Sequence, residues 1–504
     1  MNPITIKNPI IWADIPDMSI IRVGSVYYMS STSMHSMPGC PIMKSNNLRD
    51  WEIIGYVFDQ LESNDAHHLR NGQHIYGQGA WASSLRYHNG KFYLCFSAND
   101  TNQFYLFITD DIESGNWEKH IFDGLHHDPS LLFDENRVFI IYGNGKIFIK
   151  ELTADAAAVK VDGVNQVLLE TEKEGMGLRA EGCHAYKMNN YYYLFFIEWP
   201  KTGNRRRRQV CYRSKELFGP YESKVVLDDD LGFFNHGVAQ GGIVDTMNGE
   251  WYALLFQDHG AVGRVPILVP VNWSEQGWPV FGMRGQVPKE FTIELPENTS
   301  QPIVISDDFN GNEDTLKLQW QWNHNPHNHL WSLTERKGCL RLKTGVLVNN
   351  VEHAPNTLTQ RTEGPRCRVI TRIDTSAMLA GDKAGLVALQ HNFAAIGIEL
   401  TEEGEKRVTL SGRGDTDIEE NLASDPFQGQ QIHLKADFDF VDKRDTVRFY
   451  YAKDGEDWIR LGESWQLKYT LDHFMGCRIG LFNYATVQTG GHADFFYFHY
   501  EKYQ

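Results

Sequence analysis

The chain repeats itself five times, and that repeat constrains its fold more than anything else in the sequence. Each copy has a small or polar opening, an apolar run, a turn, and a Tyr- or Phe-rich run. The copies begin at Asp17 (DMSIIRVGSVYYMSST), Trp81 (WASSLRYHNGKFYLCFS), Asp128 (DPSLLFDENRVFIIYG), Cys183 (CHAYKMNNYYYLFFIE) and Gly241 (GGIVDTMNGEWYALLFQD). Their starts lie 64, 47, 55 and 58 residues apart. A weaker motif that closes near an aromatic follows several of them: NNLRDWE ending at Glu52, DIESGNWE ending at Glu118 and KELFGPYE ending at Glu222. Short alternating runs broken by Gly, Asn and Asp, with almost no helical periodicity, read as all-β. A period holding about four strands matches one blade of a β-propeller. The sequence therefore predicts an all-β chain whose residues 1–290 form a five-bladed β-propeller.

The repeat then lapses. KEFTIELPENTSQP, from Lys289 to Pro302, is polar and Pro-bearing, so residues 291–304 read as a linker. Residues 305–504 carry strand signals without the blade motif, including LRLKTG at Leu340, QIHLKADFDF at Gln431 and a hairpin turning at Asp454-Gly455. Antiparallel strands over that length predict a β-sandwich. DDFN at Asp307 and HADFFYFHY at His492 are expected to be its paired first and last strands.

Composition excludes some functions. A formal net charge of −17 argues against nucleic acid, whose phosphates require a basic surface. The basic run Arg205–Arg208 lies between two strand-like segments and reads as a solvated hairpin tip. No apolar run is long enough to span a membrane, and the N-terminus has no basic region followed by an apolar stretch. Seven scattered cysteines without a CxxC pair suggest reduced thiols and a cytoplasmic location, or a secreted or periplasmic one had a signal peptide been removed. Oligomeric state is left open, a homo-oligomer included.

Three repeat openings present or adjoin a carboxylate: Asp17, Asp128 and Glu181. Any one of them could simply start a turn. Inner strands of all blades converge on one axis, however, so three acids at equivalent repeat positions would meet in a single funnel. Cleavage of a glycosidic bond needs such a set, with one group ionised and one protonated across the bond. A third carboxylate can raise the acid's pKa by like-charge repulsion.

The segments NPIIWADIPDMSIIRVGSVYYMSST, GAWASSLRYHNGKFYLCFS, HHDPSLLFDENRVFIIYG, EGCHAYKMNNYYYLFF, NHGVAQGGIVDT and GRVPILVPVNWSEQGWPV resemble glycoside hydrolase family 43 across the whole propeller. The second half, from DDFNG through LQWQWNHNPHNHLWSLTERKGCLRLKTG, resembles the concanavalin-like β-sandwich of the family's β-xylosidase-like members. The resemblance implies an exo-acting, inverting hydrolase releasing terminal β-D-xylose, α-L-arabinofuranose or both from xylan-type oligosaccharides. The alternatives are a lectin of the same fold, or an enzyme acting on arabinan or fructosides. By motif, Asp17 would be the general base, with Met18 in place of the usual proline and Asp14 as a rival for the role. Asp128 would tune and orient the acid, and Glu181 would be the general acid.

Other roles follow from the same resemblance. Trp81 would line the sugar pocket or pack in its blade, Arg264 would bond sugar hydroxyls, and His236 would sit near the axis and orient a cation or water. His127 is expected beside the substrate. At least one of Trp320 and Trp322 is expected to pack in the core, with the other walling the site from the sandwich, and HNPHNH (His324, His327, His329) reads as a sandwich loop rather than a zinc site. The chemistry requires no cofactor. A structural Ca²⁺ between first and last sandwich strands would take Asp308 and Asp494 as oxygen ligands.

Overall fold

A computed structural model describes residues 3–414, 416 and 418–504. Five four-stranded antiparallel sheets follow one another in chain order, one per repeat. Their inner strands are Ser19–Val23, Ser84–His88, Ser130–Asp134, Met176–Met188 and Ala239–Asp245. Each inner strand packs beside those of both neighbouring blades, and the first meets the fifth, so the ring closes.

The small residues at the repeat openings join blade to blade. Ser19 Oγ accepts from Leu85 N at 2.9 Å, Ser84 Oγ from Leu131 N at 3.1 Å, and Ser130 Oγ from Ala185 N at 2.9 Å. At the next junction the Tyr186 hydroxyl accepts from Ile243 N at 3.0 Å. Arg86 spans three of these blades, donating to the Leu131 carbonyl, Ser130 Oγ and the Ala185 carbonyl. A guanidinium with five donors can bond all of them at once.

The segment expected as a linker begins instead as a strand. Glu290–Ile293 pairs with Ile4–Lys7 in a two-stranded sheet. Ile4, Ile6, Phe291 and Ile293 bury their side chains in a cluster with Tyr27 of the first blade and Leu254 of the fifth, clipping the ring where it closes.

The second half is a sandwich of an eight-stranded and a seven-stranded sheet. Asp307 and Phe498 exchange backbone bonds of 2.8 and 2.7 Å, so the expected pairing of the sandwich's two ends is present. Strands Thr446–Ala452 and Ile459–Gln466 form the expected hairpin, with Gly455 at φ 85° in its turn. The eight-stranded sheet does not stop at the domain boundary. Its last strand is Ser36–Met37 of the propeller, paired with Gln321–Asn323. The apolar core is shared as well: Val262, Val265 and Ile267 of the fifth blade belong to one buried cluster with Leu358, Cys477 and Ile479. All seven cysteines are buried and unpaired.

Candidate active site

Asp17 and Asp128 each precede an inner strand by two residues rather than lying on it, and both adopt left-handed backbone, at φ 51° and 46°. Glu181 lies within its strand, where the register shifts on both sides and Gly182 takes φ 66°. These kinks carry the three carboxylates into one cavity of about 270 Å³, which Trp81, His127, His236 and Arg264 also line. Asp17, Asp128, Glu181, Trp81, His127, His236 and Arg264 thus share one pocket.

Asp17 is 6% exposed, and its two oxygens each lie 2.8 Å from Arg264 Nη1. Thr32 Oγ1 donates to Oδ2 at 2.8 Å. Three donor contacts on two oxygens suit a carboxylate, which is acceptor-only. Burial is the largest single influence on the Arg264 guanidinium and lowers its pKa, but Asp17, Tyr469 and Asp14 together outweigh it and raise the pKa.

Asp14 has a different task. Its Oδ1 accepts from Arg264 N at 2.7 Å and its Oδ2 from Gly476 N at 2.8 Å. Both oxygens are spent on backbone, one in each domain, and Asp14 does not line the cavity. Gly263 and Gly476 permit this approach, since a Cβ on Gly263 would lie 2.3 Å from Asp14 Oδ1, and one on Gly476 2.8 Å from Asp14 Cβ.

His127, Asp128 and Glu181 form a tight group whose ligand atoms all lie within 4.8 Å of one another. His127 Nε2 stands 3.0 Å from Glu181 Oε2 and 3.6 Å from Asp128 Oδ2. The Asp128 charge raises the His127 pKa to about 9, outweighing burial, with Glu181 adding to it. A ring that is cationic at neutral pH offers no lone pair, so this trio suits proton chemistry better than a metal. Burial pushes the Asp128 carboxyl well above the usual range; His127 opposes this, while Glu181 and Asp17 add to it. Asn144, unforeseen in the sequence, donates to Glu181 Oε2 at 2.5 Å. Both neighbours address Oε2.

His236 lines the cavity, but its Nε2 accepts from Lys443 Nζ of the sandwich at 3.1 Å. Burial, with help from Lys443, lowers its pKa to about 4, which keeps it a neutral acceptor. Trp81 is half-buried on the pocket wall, with Phe474 at 5.4 Å and His127 at 6.2 Å between ring centroids.

Several expectations are corrected. Trp320 and Trp322 do not wall the site. Trp320 is buried between Phe309 and Phe498 and donates to Asp307 Oδ2 at 3.0 Å, while Trp322 packs on Trp331. Tyr469, Leu471 and Phe474 of another sandwich loop face the cavity instead, with Phe474 4.8 Å from the Arg264 guanidinium. The arginine run is not a solvated tip beyond Arg205. Arg206 pairs with Asp228, Arg208 with Glu198, and Arg207 with Asp258, the last two lining the pocket together. Asp308 and Asp494 do not fit a shared calcium. Asp494 is held by Arg341 at 2.7 Å and Arg336 at 2.8 Å, and Asp308 is an exposed partner of His499. Two guanidiniums on Asp494 occupy the oxygens a cation would need.

Comparison with known proteins agrees with this architecture. Residues 6–279 match the family model for glycosyl hydrolases family 43, and residues 306–501 that for the β-xylosidase C-terminal concanavalin A-like domain. A beta-xylosidase of Formosa agariphila is 29% identical over 99% of this chain and 90% of its own length. A non-reducing end alpha-L-arabinofuranosidase of Bacteroides ovatus is 28% identical over 81% of this chain and 78% of its own. Among solved structures, a bifunctional GH43-CE protein of Bacteroides eggerthii superposes on all of this chain with a TM-score of 0.93 and 44% identity. This chain spans 64% of that protein's length. The propeller, its appended sandwich and the acidic pocket between them therefore belong to a glycosidase, and the chain is a member of glycosyl hydrolase family 43.

Proposed function

We propose that the chain removes single terminal pentoses, β-D-xylose, α-L-arabinofuranose or both, from xylan-type oligosaccharides with inversion at the anomeric carbon. The observation that carries this reading is one small acidic cavity closed by the sandwich loop that bears Tyr469, Leu471 and Phe474. That loop packs beside the carboxylates and limits the cavity to about 270 Å³, a size that suits a terminal sugar unit. The names of the xylosidase and arabinofuranosidase relatives support the same class of substrate.

In this mechanism Asp17, positioned by Arg264 and Thr32, removes a proton from water on one face of the sugar. Glu181 protonates the leaving oxygen on the other face. His127 and Asn144 engage Glu181 Oε2, so Oε1 is the oxygen that carries the transferred proton. Asp128, which with His127 lies within 4.8 Å of Glu181, orients the acid.

Aryl xyloside and aryl arabinofuranoside hydrolysis, followed by NMR of the released sugar, tests the reading. The first-formed product should have the inverted configuration; a retained one overturns the assignment of Asp17 as base. Glu181→Gln should lose about 10²- to 10⁴-fold on unactivated xylobiose but less on nitrophenyl substrates, whose leaving group needs no proton. Sugar binding without hydrolysis of either glycoside would make the chain a lectin.

A further inference from the structure

Three polar atoms of the pocket lining are buried without a hydrogen-bond partner among the described residues: the Trp81 indole Nε1, the Arg264 Nε and the Tyr469 hydroxyl. Buried polar groups nearly always find partners, and an orphan calls for a physical account. Tyr469 belongs to the sandwich, which makes its presence in a propeller pocket notable.

The surroundings of Tyr469 explain why it is unpaired. The charged groups nearest to it are Arg264, Asp14, Asp17 and Arg207. None of them bonds the hydroxyl: Asp17 is engaged with Arg264 Nη1 and Thr32, Asp14 with two backbone amides, Arg207 with Asp258, and Arg264 Nε is itself unpartnered. A phenylalanine would supply the same ring beside Phe474, whose centroid lies 6.3 Å away. The hydroxyl adds only a desolvation cost unless something entering the cavity bonds it. A phenol hydroxyl both donates and accepts, and so does a sugar hydroxyl.

We propose that Tyr469 is a specificity-determining residue whose hydroxyl bonds a ring hydroxyl of the terminal pentose, so that the sandwich supplies a direct ligand contact. This rests on the reading of the cavity as a pentose site.

Tyr469→Phe tests it, with D-xylose and L-arabinose as competitive inhibitors and monodeoxy sugars as probes. The variant should bind at least one of the two pentoses about 3- to 10-fold more weakly, the scale of one neutral hydrogen bond. Its Tm should not fall, because an orphan hydroxyl contributes nothing to the unliganded fold. In the wild type one monodeoxy analogue should lose a similar factor, and that loss should vanish in Tyr469→Phe, as a thermodynamic cycle requires for a direct contact. Unchanged inhibition constants for both pentoses, or deoxy penalties that are the same in both proteins, overturn the proposal. These readouts use binding alone. A wild type that binds pentose but cleaves no aryl glycoside therefore sinks the proposed function and still decides the Tyr469 contact.

Discussion

Asp128 is 8% exposed, and folding raises its pKa from the usual 3.8 to about 7. The unfolded chain therefore sheds this proton at lower pH than the folded one. As pH rises from about 4 to about 7 the unfolded state binds fewer protons at this site, and stability falls across that window. Asp128→Asn removes the titration while keeping the shape. The variant should match wild type in thermal unfolding near pH 3.5 and be the more stable protein at pH 8, with kcat reduced because Glu181 and His127 lose the carboxyl that orients them. Equal melting at both pH values would show that burial of this carboxyl carries no folding cost. Asp14 and Asp17, three residues apart, illustrate the same dependence on surroundings. One bonds two backbone amides away from the cavity, and the other lies in the cavity against a guanidinium.

At the scale of elements, the strand Met176–Met188 is interrupted by three register shifts, and the last two flank Glu181. Gly182 permits the kink: its φ of 66° is left-handed, and a Cβ there would meet the Gln240 side chain at 2.7 Å. Gly182→Ala should cost about 1–2 kcal/mol in chemical denaturation from the backbone strain. It should also lower kcat, since relieving that strain shifts Glu181; an unchanged kcat would mean that the bulge does not aim the acid. The sandwich loop facing the pocket is equally constrained. Gln390 Nε2 donates to Met475 O at 2.5 Å, His473 Nε2 lies 2.9 Å from Glu352 Oε1, and Cys477 N donates to Ala261 O at 2.8 Å. Burial alone would raise the Glu352 pKa, but hydrogen bonds from His473 and Arg413 hold it well below the usual range. A loop anchored on both domains presents Tyr469 and Phe474 at fixed positions, which a precise pocket requires.

At the scale of the whole molecule the two domains share a core, a sheet and a site. Besides the Ser36–Met37 strand, Arg361 Nε donates to Asp14 O at 3.0 Å and Gly364 N to Trp12 O at 2.8 Å. Parting the domains would expose the fifth-blade residues that pack in the common cluster and leave these groups unbonded. Calorimetry should therefore show one unfolding transition, with loss of activity tracking it. Two resolved transitions would mean that propeller and sandwich fold independently.

The sequence by itself determined the strands, the five blades and the three carboxylates. Strand and turn signals are local, and a repeat writes its own symmetry into chain order, so Asp17, Asp128 and Glu181 could be assigned to one axis across more than 160 positions. Tertiary structure alone decided which side chains complete the pocket and which charges are already paired. Nothing local marks Asn144, Tyr469 or Phe474, because they matter only through contacts with residues far away in the chain. Arg207 read as solvated because its partner Asp258 is 51 positions distant, and Asp494 read as a calcium ligand because Arg336 and Arg341 lie more than 150 positions before it. Local propensity specifies elements; the partner of a buried charge is specified by how those elements pack.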